Sequence, residues 1–324
     1  MNQEVTNSDR SRIVHEIQKG EFWKPCPGTA GGYLCCGYQI ITPMTGCGMY
    51  CRYCILQSYF NCEYRVVYDN FNDLENEVRS KLEKRKGIIR FGTGEFADSL
   101  HAEEQTGISV KVAELLEPYP DVIVEFKTKS AVVEPLRKIR TPGKVIVAFS
   151  LNSPRMVEVM ERTTAPLEQR FAAAKKALSM GFKVAFHFDP IFYYEGWEQE
   201  YTGIVDRIYE TVDDVSKIAW ISMGGFRTTP LLKLSLKEKN AHLPLFSGEM
   251  ITGNDGKLRY FRPIRTEIYK GMQKAFYQYQ SDAPIYLCME SPEVWRDSGM
   301  INRIPKGLPT YLDERARSLL YPDP

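Results

Sequence analysis

The sequence predicts an α/β fold, a partial (β/α)6 barrel of the TIM type. Six short apolar runs rich in β-branched residues alternate with helix-like segments from residue 38 onward. The runs are apolar almost throughout, as in strands that helices cover on both faces. The chain has 324 residues, 43% of them hydrophobic, enough to bury a large core. A doubly wound parallel sheet is the alternative topology.

The order of the elements follows from this alternation. The predicted strands occupy residues 39–44, 87–94, 121–129, 144–152, 183–191 and 218–224. The helix-like segments between them occupy residues 72–85, 109–116, 166–180 and 202–212. We therefore expect three regions: an N-terminal extension (1–37), the barrel (38–226) and a C-terminal region (227–324).

The C-terminal region departs from the alternation. Two strand-like runs in residues 250–261 flank Asp255-Gly256, a strong signal for a β-hairpin. A helical pattern (267–277) and another apolar run (284–289) follow. Residues 227–274 hold ten basic and four acidic residues, a net charge of +6 in a chain whose total is +1. This basic segment predicts contact with phosphates and bases; its candidate residues are Lys257, Arg259, Tyr260 and Arg262.

The N-terminus gives no sign of a membrane or secreted protein. Residues 1–20 are polar and lack the apolar stretch of a signal peptide, and no run approaches the ~18 apolar residues of a transmembrane helix. We expect a cytoplasmic protein without a membrane partner. Of its eight cysteines, seven lie in the first 62 residues. In the cytoplasm, such clustering favours metal binding or catalysis over disulfides.

Three of these cysteines form a C-x3-C-x2-C motif, Cys47, Cys51 and Cys54, directly after the first predicted strand. Ligands of parallel α/β folds bind at the carboxyl ends of the strands. Three thiolates from one loop suit a four-iron cluster, with one iron left open for catalysis. The alternatives are buried thiols or a closed zinc site with Cys62 or Cys26 as fourth ligand.

With Tyr53 before its third cysteine, this motif resembles that of the radical S-adenosylmethionine (SAM) superfamily. Further stretches resemble the spore photoproduct lyase family over most of the chain. They are residues 26–39, 45–60, 149–152, 162–182, 189–201, 221–230 and 287–295. The resemblance implies a partial (β/α)6 barrel, a [4Fe–4S] cluster and SAM. It also implies a flavodoxin- or ferredoxin-type electron donor, and hydrogen abstraction from a thymine-derived lesion or modified pyrimidine in DNA by a 5′-deoxyadenosyl radical.

Several residues take expected roles from the resemblance. Cys47, Cys51 and Cys54 would hold the cluster, and Lys129 and Ser150 match positions that contact SAM. Gly94 and Glu95 stand where the superfamily places a Gly-Gly-Glu-like element, whose carboxylate accepts hydrogen bonds from the SAM ammonium. Asn152 ends the block that contains Ser150. The expected catalytic residues are Tyr53 and Glu95.

The chain departs from the family's pattern at the step that ends the radical reaction. The family's hydrogen-donor cysteine is matched by Glu95, and its second relay tyrosine by Ile55. Tyr50, Tyr53, Cys288 or a second SAM-derived species could act instead. Two alternative functions stay open: a radical SAM biosynthetic enzyme for a small molecule or peptide, and a non-catalytic, metal-stabilised nucleic-acid-binding protein.

Two further groups of residues are candidates for the site. His187 and Asp189 lie two apart on one predicted strand and therefore face the same side. If that side is the barrel interior, they could act on protons or substrate; a core His–Asp pair is the alternative. Cys26, Cys35 and Cys36 could form a second metal site with Cys62, or simply be core thiols.

Overall fold

The computed structural model describes residues 12–29, 31–60, 64–239, 248–280 and 282–322. Its centre is a curled eight-stranded sheet, which confirms the predicted partial barrel. The strands of this sheet are β2 (Trp23–Pro25), β3 (Gln39–Ile41), β6 (Ile89–Gly92), β7 (Val122–Thr128), β8 (Val145–Ser150), β9 (Lys183–Ile191), β10 (Ile218–Gly225) and β14 (Ile285–Leu287). They lie side by side in the order β14-β10-β9-β8-β7-β6-β3-β2, and every pairing except β2–β3 is parallel.

Each of the six predicted barrel strands contains one of these parallel strands. The first is shorter than predicted, because the run ends at Ile41 and resumes as β4 (Met44–Thr45) in another sheet. Pro43 separates the two pieces and has no N–H for a strand ladder. The small sheet has the order β1-β5-β4, with β1 at Ile13–Glu16 and β5 at Arg65–Tyr68.

The apolar run at residues 284–289 has a different place from the one expected. It forms β14, which pairs in parallel with β10 as a seventh parallel strand of the barrel sheet. The C-terminal region thus contributes a strand to the barrel sheet, which the sequence analysis did not predict. Helices of the C-terminal region separate β10 from β14 in sequence, so the pairing could not be read from simple strand–helix alternation.

Ten helices in the described residues pack around the sheets. They are α1 (Phe71–Leu82), α2 (Glu103–Thr106), α3 (Ile108–Leu116), α4 (Pro154–Met160), α5 (Leu167–Ser179), α6 (Trp197–Thr211), α7 (Pro230–Lys239), α8 (Arg262–Tyr277), α9 (Pro292–Asp297) and α10 (Leu308–Leu320). The four helices predicted between strands are all present. α5 shows why: Phe171, Ala174 and Ala177 recur at helical spacing and are buried against the sheet. No helix in the described ranges is both long and apolar enough to cross a membrane.

The predicted hairpin is present as β12 (Ile251–Thr252) and β13 (Leu258–Arg259). The two strands pair antiparallel, and β13 also pairs with β11 (Arg227–Thr228). Gly256 has a φ of 74°, the left-handed conformation that glycine adopts readily. The hairpin is thereby joined to the end of β10, next to the carboxyl edge of the barrel sheet.

Candidate active site

A cavity of about 540 Å³ lies at the carboxyl edge of the parallel strands. It is lined by residues that lie in or after the strands β3, β6, β7, β8, β9, β10 and β14. One part of its wall is formed by the motif cysteines Cys47, Cys51 and Cys54. The position agrees with the general rule that parallel α/β sheets bind ligands at this edge.

The loop that carries the motif cysteines is held in one conformation by its backbone. Gly46 has a φ of 81°, and a Cβ there would lie 2.7 Å from the carbonyl oxygen of Tyr64. The N–H of Arg52 donates to the carbonyl of Met160 at 2.9 Å, and the Gln57 amide donates to the carbonyls of residues 51 and 52 at 3.0 Å each. The three thiols therefore reach the cavity from a fixed loop.

The three motif thiols fit the ligand set of an iron–sulfur cluster. Within the described part of the chain, no three His, Cys, Asp or Glu side chains converge on one metal position. A zinc ion needs all its ligands around one point, whereas a [4Fe–4S] cluster bonds each cysteine through a different iron. Cys47, Cys51 and Cys54, which all line one cavity, supply the three thiolates that a [4Fe–4S] cluster with one open iron requires. Cys62 lies outside the described residues.

The buried carboxylate of Glu161 contacts the loop that carries Cys47, Cys51 and Cys54. Glu161 accepts hydrogen bonds from the Tyr53 hydroxyl, from the Asn152 amide at 3.2 Å and from the Arg170 guanidinium at 2.7 Å. Burial opposes its charge, but Lys129 and Arg170 outweigh that effect and lower the pKa of Glu161. Glu161 and Arg170 were not among the predicted site residues, although both lie in the stretch 162–182 or directly before it.

This network decides the position of Asn152. Its side-chain oxygen accepts from the Ser153 N–H at 3.0 Å and from the Tyr201 hydroxyl, while its amide nitrogen binds Glu161. Asn152 is buried and is not among the residues that line the cavity. The structure places Asn152 in this internal network, and its expected contact with a cofactor stays a prediction.

The other residues predicted to bind SAM do line the cavity: Gly94, Glu95, Lys129 and Ser150. The Lys129 ammonium lies 5.9 Å from the centre of the Tyr53 ring. Its backbone N–H donates to Asp98 at 2.7 Å, and Asp98 also accepts from the Thr128 hydroxyl at 2.6 Å. The Asp98 carboxylate thus fixes the end of β7. No sequence pattern predicted this role for Asp98.

His187 and Asp189 face the cavity, as their spacing predicted. His187 hydrogen-bonds to Glu125 at 3.2 Å, and Glu125 also accepts from the Tyr38 hydroxyl and from the Trp220 indole. Because these three donors surround it, Glu125 is satisfied within the protein.

Asp189 is satisfied by a different neighbour. It receives two hydrogen bonds from Arg227, at 2.9 and 3.1 Å, and a third from the thiol of Cys288. Arg227 also donates to the backbone carbonyl of Cys288 at 2.8 Å. Sequence spacing predicted neither the contact of His187 with Glu125 nor the contact of Arg227 with Asp189.

Cys26, Cys36 and Cys288 form part of the cavity wall, and none of the seven described cysteines is in a disulfide. Burial and the Asp189 carboxylate raise the pKa of Cys288 well above its usual value. The thiol of Cys288 is therefore protonated at neutral pH. Cys35 hydrogen-bonds with Cys36 but does not line the cavity.

The four hairpin-region candidates occupy different environments. Lys257 lines the cavity. Arg259 is buried, where it pairs with Asp255 at 3.1 Å and lies over the ring of Tyr33 at 4.7 Å. Tyr260 is also buried, and its hydroxyl accepts from the Tyr193 N–H at 3.2 Å. Only Lys257 and Arg262 are placed to meet a nucleic acid, and Arg262 already pairs with Asp297 at 2.6 Å.

The positive charge of the basic segment is smaller in the fold than in the sequence. Arg227, Arg262 and Arg265 pair with acidic residues from outside residues 227–274. Those partners are Asp189, Asp297 and Glu290 respectively. The net charge of +6 was calculated for residues 227–274 alone, so it does not include these three acidic partners.

Comparison with known proteins first identifies the class. The sequence model of the spore photoproduct lyase family matches residues 36–223, more than half of the chain. That family lies within the radical SAM superfamily, whose members use a [4Fe–4S] cluster and SAM. The chain belongs to the spore photoproduct lyase family.

Individual relatives agree with the family match. The spore photoproduct lyase of Clostridium acetobutylicum is 27% identical over 204 residues, which cover 62% of this chain and 61% of that protein. The Bacillus subtilis enzyme is 26% identical over 166 residues, covering 51% and 48%. The chain thus spans between about half and three fifths of the length of these relatives.

Solved structures share the fold over a larger part of the chain. Spore photoproduct lyase complexed with dinucleoside spore photoproduct superposes with a TM-score of 0.77 at 23% identity, covering 88% of this chain and 86% of that one. A mutant with bound AdoMet and dinucleoside spore photoproduct gives a TM-score of 0.76 at 24% identity, covering 87% and 84%. At these identities the likeness concerns the fold.

Proposed function

We propose that this protein is a radical SAM enzyme of the lyase type, acting on a thymine-derived lesion or modified pyrimidine in DNA. The observation that carries the proposal is the position of the three motif thiols. They line the same cavity as Lys129, Ser150 and Glu95, at the ligand-binding edge of a barrel whose family uses a cluster and SAM. A cytoplasmic location and a flavodoxin- or ferredoxin-type electron donor complete the proposal.

The cofactors would occupy the end of the cavity nearest the motif loop. When bound, a reduced [4Fe–4S] cluster supplies the electron that splits SAM into methionine and a 5′-deoxyadenosyl radical. Cys47, Cys51 and Cys54 would hold the cluster. Lys129 would bind the carboxylate of SAM, and Ser150, Gly94 and Glu95 would bind its remaining polar groups.

Tyr53 and Asn152 support this arrangement through Glu161. The Tyr53 hydroxyl is directed to Glu161, which lies within the field of the Lys129 ammonium. Asn152 joins the end of β8 to the same carboxylate. These contacts would keep the cluster loop and the SAM-binding strand ends in fixed relation, as a radical reaction requires to protect its intermediates.

The substrate would enter from the hairpin side. Lys257 reaches the cavity from the hairpin and would contact a phosphate, while Arg262 would approach the duplex on the outer surface. Arg259 and Tyr260 hold the hairpin in shape from inside. The similar structures that contain dinucleoside spore photoproduct support a thymine lesion as the substrate.

A direct test combines anaerobic reconstitution with product analysis. The reduced protein should release 5′-deoxyadenosine from SAM, and should convert a dinucleoside spore photoproduct in the same assay. Failure to cleave SAM with a full cluster would contradict the radical SAM assignment. SAM cleavage without conversion of the lesion would contradict the substrate, and would favour the small-molecule or peptide alternative.

That alternative is supported by one observation. Lys127, Asp189 and Arg227 line the cavity; Asp189 and Arg227 pair with each other, and the charge of Lys127 is one that an uncharged pyrimidine base does not neutralise. A charged small molecule would also match these groups. Metal analysis that found one zinc and no iron would instead favour the non-catalytic, nucleic-acid-binding alternative.

A further inference from the structure

The strand β7 presents three charged side chains to the cavity in a row. Glu125, Lys127 and Lys129 occupy alternate positions and therefore point to the same face of the sheet, and all three line the cavity. Lys129 lies at the carboxyl end of β7, and Lys127 lies one step deeper, between Lys129 and Glu125. Sequence reasoning did not single out Lys127.

The two neighbours of Lys127 on this face have protein partners. Glu125 accepts three hydrogen bonds, and the Lys129 ammonium lies over the Tyr53 ring. The Lys127 ammonium has no hydrogen bond and no ion pair with any described residue; the nearby charges of Glu95 and Asp189 act on it only from a distance. An ammonium at this depth, without an acceptor among the described residues, must take its hydrogen bonds from water or from a ligand in the cavity.

Two glycines leave space for polar side chains in the cavity wall, and Lys127 is one of these side chains. A Cβ on Gly94 would lie 2.9 Å from the Cβ of Lys127, so the loop after β6 can pass this side chain only with glycine. A Cβ on Gly224 would lie 2.6 Å from the Asp189 carboxylate. The absence of side chains at these two glycines leaves room for Lys127 and Asp189.

The charge of Lys127 is maintained by its surroundings. Burial opposes the charged form, but Glu95, Asp189 and Glu125 outweigh burial and raise the pKa of Lys127. The side chain therefore offers three N–H donors and a positive charge at neutral pH. It complements an oxygen acceptor on whatever occupies this part of the cavity.

We propose that Lys127 is a substrate-binding residue, whose ammonium donates a hydrogen bond to a carbonyl oxygen of the pyrimidine ring. The inference rests on the proposed function. It adds that SAM and the substrate contact different lysines in the cavity. Lys129 serves SAM at the cluster end, and Lys127 serves the substrate one step deeper. Thymine-derived rings offer suitable acceptors at their O2 and O4 positions.

The two lysines provide a matched experiment. Lys127→Met and Lys129→Met each replace an ammonium with an apolar side chain of similar length on the same strand face. Binding of SAM and of a dinucleoside spore photoproduct would be measured separately by calorimetry on cluster-loaded protein. We expect Lys127→Met to weaken lesion binding about tenfold or more and to leave SAM affinity within about twofold. Lys129→Met should show the reverse pattern.

Further variants serve as controls for loss of folding and for loss of charge. Iron content and melting temperature identify a variant that has lost its structure, in which case Lys127→Gln takes its place. Lys127→Arg, which keeps the charge and the donors, should recover part of the lesion affinity. If Lys127→Met binds the lesion as wild type does, or loses SAM affinity instead, the proposal is overturned. If the wild-type protein binds SAM but not the lesion, the proposed substrate fails, and the role of Lys127 in binding it fails with it.

Discussion

At Glu161, one carboxylate without solvent exposure receives hydrogen bonds from the cluster loop, the end of β8 and helix α5. Its partner Arg170 is equally buried and also donates to the carbonyl of Ser150 at 2.8 Å. Such a pair is costly to break because the remaining buried charge loses the opposite charge beside it. Residues far from the cavity surface thus control the geometry of those that line it.

Replacing Glu161 with Gln should therefore destabilise the protein strongly. We expect the free energy of unfolding, measured by urea denaturation, to fall by about 3–5 kcal/mol. Glu168→Gln is the matched control, because Glu168 pairs with Arg207 on the exposed surface of the same region. That substitution should cost less than about 1 kcal/mol. Equal effects of the two substitutions would show that the buried network contributes nothing special.

The thiol of Cys288 is the best-placed candidate to end the radical reaction. It lines the cavity, is protonated and is held by Asp189 and Arg227. Thiol hydrogens exchange with solvent, so product formed in D2O should carry one deuterium when Cys288 is the donor. Cys288→Ser should abolish this labelling while SAM cleavage continues, because a hydroxyl hydrogen is bound too strongly to be transferred.

Cys35→Ser is the control for that experiment, since Cys35 does not line the cavity. It should retain the labelling of the wild type. Labelling that persists in Cys288→Ser would exclude Cys288 and direct attention to Cys26, Cys36 or the tyrosines.

At the scale of elements, two arginines in and beside the hairpin look alike in sequence but have different environments. Arg259 and Arg262 are three apart and both basic, yet Arg259 is 1% exposed and locked between Asp255 and Tyr33, whereas Arg262 is on the surface. Tyr33 lies 226 positions from Arg259 in sequence. No local pattern could have revealed that contact.

This difference predicts two separate outcomes. Arg259→Ala should lower the melting temperature, because it leaves Asp255 without its cation and opens a gap beside Tyr33. Lys257→Met should weaken DNA binding and leave the melting temperature almost unchanged. The measurements are thermal unfolding and fluorescence anisotropy with a labelled duplex. A loss of DNA affinity from Arg259→Ala with no change in melting temperature would mean that Arg259 contacts DNA directly.

Sequence patterns predicted most of the elements but only part of the site. The strands could be predicted because a buried parallel strand has a distinctive apolar run, and the motif loop because three cysteines at close spacing are rare. Lys127 and Glu161 could not, because their importance depends on partners, or on the lack of them, that the fold assembles from distant segments. The pairing of the seventh parallel strand, β14, with β10 could not be predicted for the same reason.

At the scale of the whole molecule, charge pairing limits the strength of any phosphate contact. With three arginines of the basic segment paired, the cations left to meet phosphates include Lys257, which lines the cavity, and Lys270 and Lys274, which line a second pocket beside Arg262. If each neutralises one phosphate, the logarithm of the DNA association constant should fall with the logarithm of salt concentration with a slope of about −3. Anisotropy titrations over a range of salt concentrations measure this slope.

A much steeper slope would mean that cations other than these three lysines also contact DNA. A slope close to zero would mean that DNA binding does not depend on phosphate contacts, and would favour a small-molecule substrate. Poly-anion competition with heparin at one salt concentration provides an independent check on the same point.

The cavity wall that carries Cys26 and Cys36 comes from the beginning of the chain, and the wall that carries Cys288 comes from near its end. The Leu34–Glu290 backbone bridge connects these two segments directly. During synthesis, the motif loop therefore leaves the ribosome more than two hundred residues before the cavity can close around it. A cluster inserted early would meet solvent and oxygen, so order of assembly, and not only final geometry, determines how much active protein a cell obtains.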